Sequence, residues 1–234
     1  MLIAQSPSPD ANKPFPWMTA SLALGCLLAS VLYALLTGPQ QQVVIATVGA
    51  SPAEVHALLS GERATGWNAL WLSLFFHSSW LHLAGNVIYL WVFGLPVERR
   101  MGPLALLSVF LLGGVLAHLL LSFQLPTMSR SVIGASGAVS AVVGACAGLY
   151  PRRRIGLYLP LGVVVEFVRL PTLLVVGSWF ALQLLYSVVG PTSGAMAWWT
   201  HLAGFGLGLG FALLARAVDA VRSNRQGRQA TYSD

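Results

Sequence analysis

Charge-free stretches long enough to cross a membrane as helices recur along this chain, and no other feature restricts its fold as much. They fall near residues 17–37, 79–97, 103–124, 132–150, 172–189 and 196–215. Each is close to the ~20 residues that span a hydrocarbon core. Composition agrees, because 9% of the residues are charged and 56% hydrophobic, against about 25% charged in a soluble domain. The expectation is an all-α polytopic membrane protein, a six-transmembrane-helix bundle over residues 17–215. A flexible cytoplasmic N-terminus (1–16) precedes it, and a basic cytoplasmic tail (216–234) that frays follows it. The first apolar stretch is longer than the core of a secretory signal, so it reads as a retained helix. Cys26 and Cys146 both lie inside apolar stretches and read as small buried hydrophobes rather than a disulfide.

The net charge of +6 invites a nucleic-acid reading, but its distribution excludes one. Lys13, the pair Arg99 and Arg100, the group Arg152, Arg153, Arg154 and Arg169, and the tail arginines Arg216, Arg222, Arg225 and Arg228 all fall on one side of a six-span chain. The other side has Arg63 and Arg130. By the positive-inside rule both termini are cytoplasmic, which fits the plasma (inner) membrane of a bacterium. The longest connection, Thr37 to about Ser78, is then extracytoplasmic. Within it Trp67, Leu70, Trp71 and Leu74 are spaced i, i+3, i+4, i+7, the signature of an amphipathic helix lying in the interface. The stretch Ile155 to Leu170 reads as a cytoplasmic loop, and no internal repeat is present.

Spans two, four and six all enter from the outer side, and each carries polar residues early in its run. These are His82 and Asn86, then Ser136 within Gly134-Ala135-Ser136-Gly137, then His201. Polar groups at membrane depth are costly and face the bundle interior, so a shared depth on three helices predicts that they face one another. A serine hydroxyl with a neutral imidazole in reach is an activated nucleophile. No carboxylate lies at that depth, so the pair would be a dyad. Gly134 and Gly137 let the backbone bend or approach a neighbour. Gly204 with Gly208, and Gly206 with Gly210, form small faces that would draw the sixth span onto the fourth. His82 and Asn86, one helical turn apart, offer donors to a developing oxyanion. His118 has no partner at its depth and is assigned a structural role. His77 is interfacial or part of a hydrogen-bond network.

Taken together these residues resemble the rhomboid family of intramembrane serine proteases. The resemblance runs from about Trp67 to Leu214. It rests on His77 with His82-Leu83-Ala84-Gly85-Asn86, on Gly134-Ala135-Ser136-Gly137 with Gly144, on His201 with Gly204 and Gly208, and on Val97-Glu98 and Gly102. It implies six helices around a water-filled cavity, Ser136 as nucleophile and His201 as general base. It also implies an oxyanion site from His82, Asn86 and the Ser136 N–H, and no metal or cofactor. Its substrates would be membrane-anchored proteins with helix-destabilising residues near the cut, with the lipid bilayer and no nucleic acid as surroundings. Two departures stand out. Trp67-Asn68 replaces a Trp-Arg pair common in the family. Ser140 stands four residues after the serine, where members often carry an aromatic residue packed on the base. The orientation of His201 must then come from elsewhere, from a water or Trp199.

Two other function classes compete. A non-catalytic rhomboid-like protein that binds membrane clients would lack the serine or the histidine, and both are present. A transporter would carry buried carboxylates on broken helices or an inverted repeat, and neither is found in the sequence.

Overall fold

The computed structural model describes residues 15–152, 154–161, 164–189 and 193–231. The N-terminal segment up to Pro14 with Lys13, Arg153, the loop residues Gly190-Pro191-Thr192 and the last three residues lie outside the described residues. The elements in order are α1 (Trp17–Ala34), α2 (Gly38–Val48), α3 (Pro52–Ser60), α4 (Ala69–Leu72), α5 (Trp80–Met101), α6 (Pro103–Gln124), α7 (Ser136–Leu149), β1 (Arg154–Leu161), β2 (Val164–Pro171), α8 (Thr172–Val189) and α9 (Ser193–Thr231). The long helices α1, α5, α6, α8 and α9 and the shorter α7 coincide with the apolar stretches. Among the described residues, four helices are long and apolar enough to cross a membrane, while α7 and the apolar part of α8, Thr172–Ala181, are shorter.

The short helix is the centre of the molecule. The 14 residues of α7 rise about 21 Å, less than a ~30 Å hydrocarbon core. Every residue from Gly137 to Gly148 is buried, as expected of a helix enclosed on all sides. Its sequence, SGAVSAVVGACAGL, contains nothing larger than Val before its last residue, so neighbouring helices approach almost to backbone contact. It packs against α5, α6 and α9. A Cβ on Gly208 would collide with the Ala141 carbonyl oxygen, one on Gly204 with that of Gly137, and one on Gly144 with that of Phe205. Gly206 and Gly210, two residues round the helix, would meet nothing. Of the two glycine faces expected to dock α9, one makes the seam and the other does not.

The N-terminus of α1 is capped from another helix. Glu98 in the last turns of α5 is buried. It accepts hydrogen bonds from the Met18 N–H (2.9 Å), the Thr19 N–H (2.8 Å) and the Thr19 hydroxyl (2.6 Å). A carboxylate at a helix N-terminus satisfies orphan donors and meets the positive end of the helix dipole. Gly102 (φ +89°) then turns the chain, and Pro103 opens α6, a position that needs no amide hydrogen.

Several expectations change. The amphipathic helix around Trp67–Leu74 shrinks to the single turn α4, which buries Leu70 while Leu74 beyond it is also buried, and leaves Trp67 and Trp71 half-exposed. The connection before it contains two further helices, α2 and α3, that periodicity did not reveal. The stretch read as a loop holds two strands paired antiparallel, from Arg154 with Pro171 to Leu161 with Val164, within a fold that is otherwise helical. Its β-branched and aromatic content favours strands, and Pro160 is tolerated because both strands of a two-stranded sheet are edges. Beyond Arg216, α9 continues as helix to Thr231. Arg216 donates to the Gly148 carbonyl (3.0 Å), and Arg100 pairs with Asp219 (2.8 Å), tying the extension to α7 and α5.

Candidate active site

Ser136 opens α7 because the chain before it is pinned residue by residue. Ala50 and Val132 exchange both backbone hydrogen bonds (2.9 and 3.1 Å). The Gly134 N–H donates to the Ser73 carbonyl (2.8 Å), and the Ala135 N–H to Nε2 of His77 (3.3 Å). Gly134 has φ +130°, and an added Cβ would lie 2.6 Å from Cε1 of His82, so neither the backbone nor the space admits a larger residue. The helix starts at Ser136, not inside an already formed span at 132. That leaves the first N–H groups of α7 without helical partners, with Ser136 at the very tip.

His77 holds this loop. Its Nε2 accepts the Ala135 N–H, so its proton sits on Nδ1, which donates to the Phe75 carbonyl (3.2 Å). Ser30 Oγ of α1 lies 3.3 Å from the same Nδ1. Burial, and next the adjacent His82, push His77 down to about 4 against the opposing effect of the Phe75 hydrogen bond, which keeps the ring neutral. His118 does have a partner, contrary to expectation. Its Nε2 lies 3.2 Å from the Ser73 hydroxyl, and the carbonyl of Ser73 receives the Gly134 amide. His77 and His118 thus both support the segment that carries the serine.

On α5, Ser79 caps the helix by accepting the His82 N–H (3.2 Å), which fixes His82 in the first turn. Ser78 Oγ stands 3.4 Å from His82 Nδ1; donation by that hydroxyl leaves Nε2 as the N–H donor. Asn86 Nδ2 donates to the His82 carbonyl (2.9 Å), leaving its second N–H available. A cavity of about 210 Å³ is lined by His82 and Asn86 of α5, Ser136 and Val139 of α7, Trp179 of α8 and His201 of α9, with Leu81, Gly85 and Tyr89. The four polar residues picked out by depth in the sequence therefore surround one space.

His201 is buried, and among the described residues neither of its ring nitrogens has a hydrogen-bond partner. Ser140, one turn beyond Ser136, donates instead to the Ser136 carbonyl (2.6 Å). Trp199 is 40% exposed. The ring packed against His201 is Trp179, at a centroid distance of 5.2 Å and an interplanar angle of 45°. Sequence reasoning missed Trp179. The available signal was its place in the sixth-span neighbour: Trp179 and His201 are nearly equidistant from the α8–α9 connection, which brings them level in an antiparallel pair.

The Rhomboid domain family model matches residues 64–217. Rhomboid-like protein 11, chloroplastic, of Arabidopsis thaliana is 40% identical over 73 residues, 31% of this chain and 26% of that protein. Rhomboid protein 1, mitochondrial, of Saccharomyces cerevisiae is 27% identical over 182 residues, 73% of this chain and 48% of that protein. The chain therefore spans less than half the length of each of these relatives. With apolar helices of membrane-crossing length and most of its residues matched, the chain belongs to the rhomboid family and is an integral membrane protein. Both relatives carry organellar names, which gives the expected bacterial plasma membrane no support.

Proposed function

We propose that this chain is an intramembrane serine endopeptidase that hydrolyses peptide bonds in or near the transmembrane segments of membrane proteins. The observation that carries the reading is the one cavity onto which Ser136, His201, His82 and Asn86 open, with a buried imidazole that has no hydrogen-bond partner among the described residues. An unpaired buried imidazole is costly, and a hydroxyl that comes within reach when substrate binds would remove that cost.

In the proposed reaction Ser136 Oγ attacks the scissile carbonyl carbon while its proton passes to a ring nitrogen of His201. The carbonyl electrons move to oxygen, where His82 Nε2–H, the spare Asn86 N–H and the Ser136 N–H at the helix tip stabilise the charge. Collapse expels the amine with the proton from His201, leaving an acyl-serine. Water then attacks that ester, giving its proton to His201, which returns it to Ser136 as the acid departs. Gly134, Gly137, Gly204 and Gly208 set the distance between nucleophile and base by allowing close approach. The membrane family and its apolar helices favour membrane-embedded substrates.

A client-binding protein without catalysis is the second reading, and the missing Ser136–His201 hydrogen bond is the observation on its side. Such bonds tighten on substrate binding in many enzymes, so the protease reading stands ahead. The test is cleavage of a membrane-anchored reporter together with labelling by a fluorophosphonate. Wild type should cleave and label at Ser136, and Ser136→Ala and His201→Ala should each lose cleavage by on the order of 10⁴-fold or more. Undiminished cleavage by Ser136→Ala, or neither cleavage nor labelling by wild type, overturns the reading.

A further inference from the structure

The proposed dyad lacks a carboxylate, and the structure offers something in its place. Among the described residues, no Asp or Glu lines the cavity, and neither ring nitrogen of His201 is held by a hydrogen bond. The groups there that titrate are His201 itself, with His82 and Tyr89 of α5. An imidazolium formed at His201 would thus be a buried cation with no anion to offset it, a costly state. The neighbouring turn of α7 gives no help, because the Ser140 hydroxyl is committed to the Ser136 carbonyl.

We propose that Trp179 orients the His201 ring and stabilises the imidazolium that forms when His201 takes the proton of Ser136, through the negative face of its indole. This inference rests on the protease reading and names a further residue of the same site. The centroid separation of 5.2 Å is inside the ~6 Å range of cation–π attraction, and Trp is the strongest of the aromatic partners. The indole is itself held in place, by Tyr89 of α5 (5.8 Å, 40°) and by Phe180 (5.0 Å, 80°). Tyr89 in turn stacks on Phe93 (5.7 Å, 18°), which is fully buried. A rank of rings thus runs from the core of α5 to the base on α9. Trp179 is a positioning residue, acting on the reaction through His201. The attraction is weak while the imidazole is neutral and strong once it is charged, so it favours the transition state over the resting state.

The decisive experiment varies the electron density of one ring at nearly constant shape. Tryptophan carrying one, two or three fluorines is placed at position 179 by site-specific incorporation, and kcat and KM are measured on the membrane-anchored reporter. Each fluorine should lower log kcat by a further step, with KM held within about twofold, the pattern of an interaction made only in the transition state. Trp179→Leu should lose on the order of tenfold in kcat, and Trp179→Phe should recover part of it. A series flat in kcat, in protein that still labels with fluorophosphonate at Ser136, overturns the role of Trp179 and leaves the protease reading intact. Wild type that neither labels nor cleaves overturns both. A purely steric role would respond to Leu but not to fluorine.

Discussion

Two walls of the same cavity are built on different physics. The α7–α9 wall is a seam of glycines and alanines in which carbonyl oxygens fill the places where side chains would be. The α8 wall meets the cavity through a half-buried indole that touches its neighbours ring to ring. The first kind of contact fixes where backbones lie, and so fixes the distance between Ser136 and the stem of His201. It says nothing about how an imidazole turns about its own bonds. That second degree of freedom is left to Trp179. Position and orientation of the proposed base are therefore set by different helices, and each can be disturbed without the other.

The largest effect should come from breaking the seam. Gly208→Val places side-chain atoms on the Ala141 carbonyl, a backbone obstacle that cannot rotate away. A loss of roughly 3 kcal/mol or more, at or beyond the upper end of the overpacking range, should appear as a large drop in melting temperature and loss of labelling together. Trp179→Leu should do the reverse, lowering turnover while the melting temperature barely moves. If both variants lose stability equally, the two walls are not separable.

A smaller effect concerns the loop that presents Ser136. His77 is pushed from 6.5 down to about 4, so the unfolded chain takes up a proton at higher pH than the folded one. Stability then rises with pH across that window; it is fully present above about 6.5 and is lost as pH falls toward 4. Melting of the purified protein should drop between pH 7 and pH 5, and His77→Asn should show a shallower drop, although it is less stable at pH 7. An equal slope in both would remove His77 from the account. The smallest effect is on the other face of α9. Gly206→Ala would meet nothing within 4 Å, and should stabilise the helix by about 0.5–1 kcal/mol. Destabilisation there would mean that this face is covered in the membrane by a partner.

Much of the site was legible because depth in a membrane is a one-dimensional coordinate. Counting residues from the nearest loop placed His82, Asn86, Ser136 and His201 at one level, and that level is where the cavity lies. Glycine spacing announced that α9 would approach another helix closely. It could not say which of two glycine faces would do so, because the sequence offers Gly204 with Gly208 and Gly206 with Gly210 on equal terms. Glu98 entered the sequence reading only beside Val97 as part of the family resemblance, and its three donors lie about eighty residues away on α1. His118 was judged partnerless from the depths of the spans, whereas Ser73, its partner, follows α4 in the connection that packs down onto α6.

By itself the sequence determined the class, the number and place of the apolar stretches and the level of the polar residues. Each of these follows from hydropathy and helical rise, which are local quantities. Tertiary structure alone decided which glycine face forms the seam, that a carboxylate of α5 caps α1, and that Trp179 rather than Trp199 lies against His201. Those outcomes depend on how each helix is rotated about its axis. Rotation is settled by the fit of neighbouring surfaces, and no residue carries it alone.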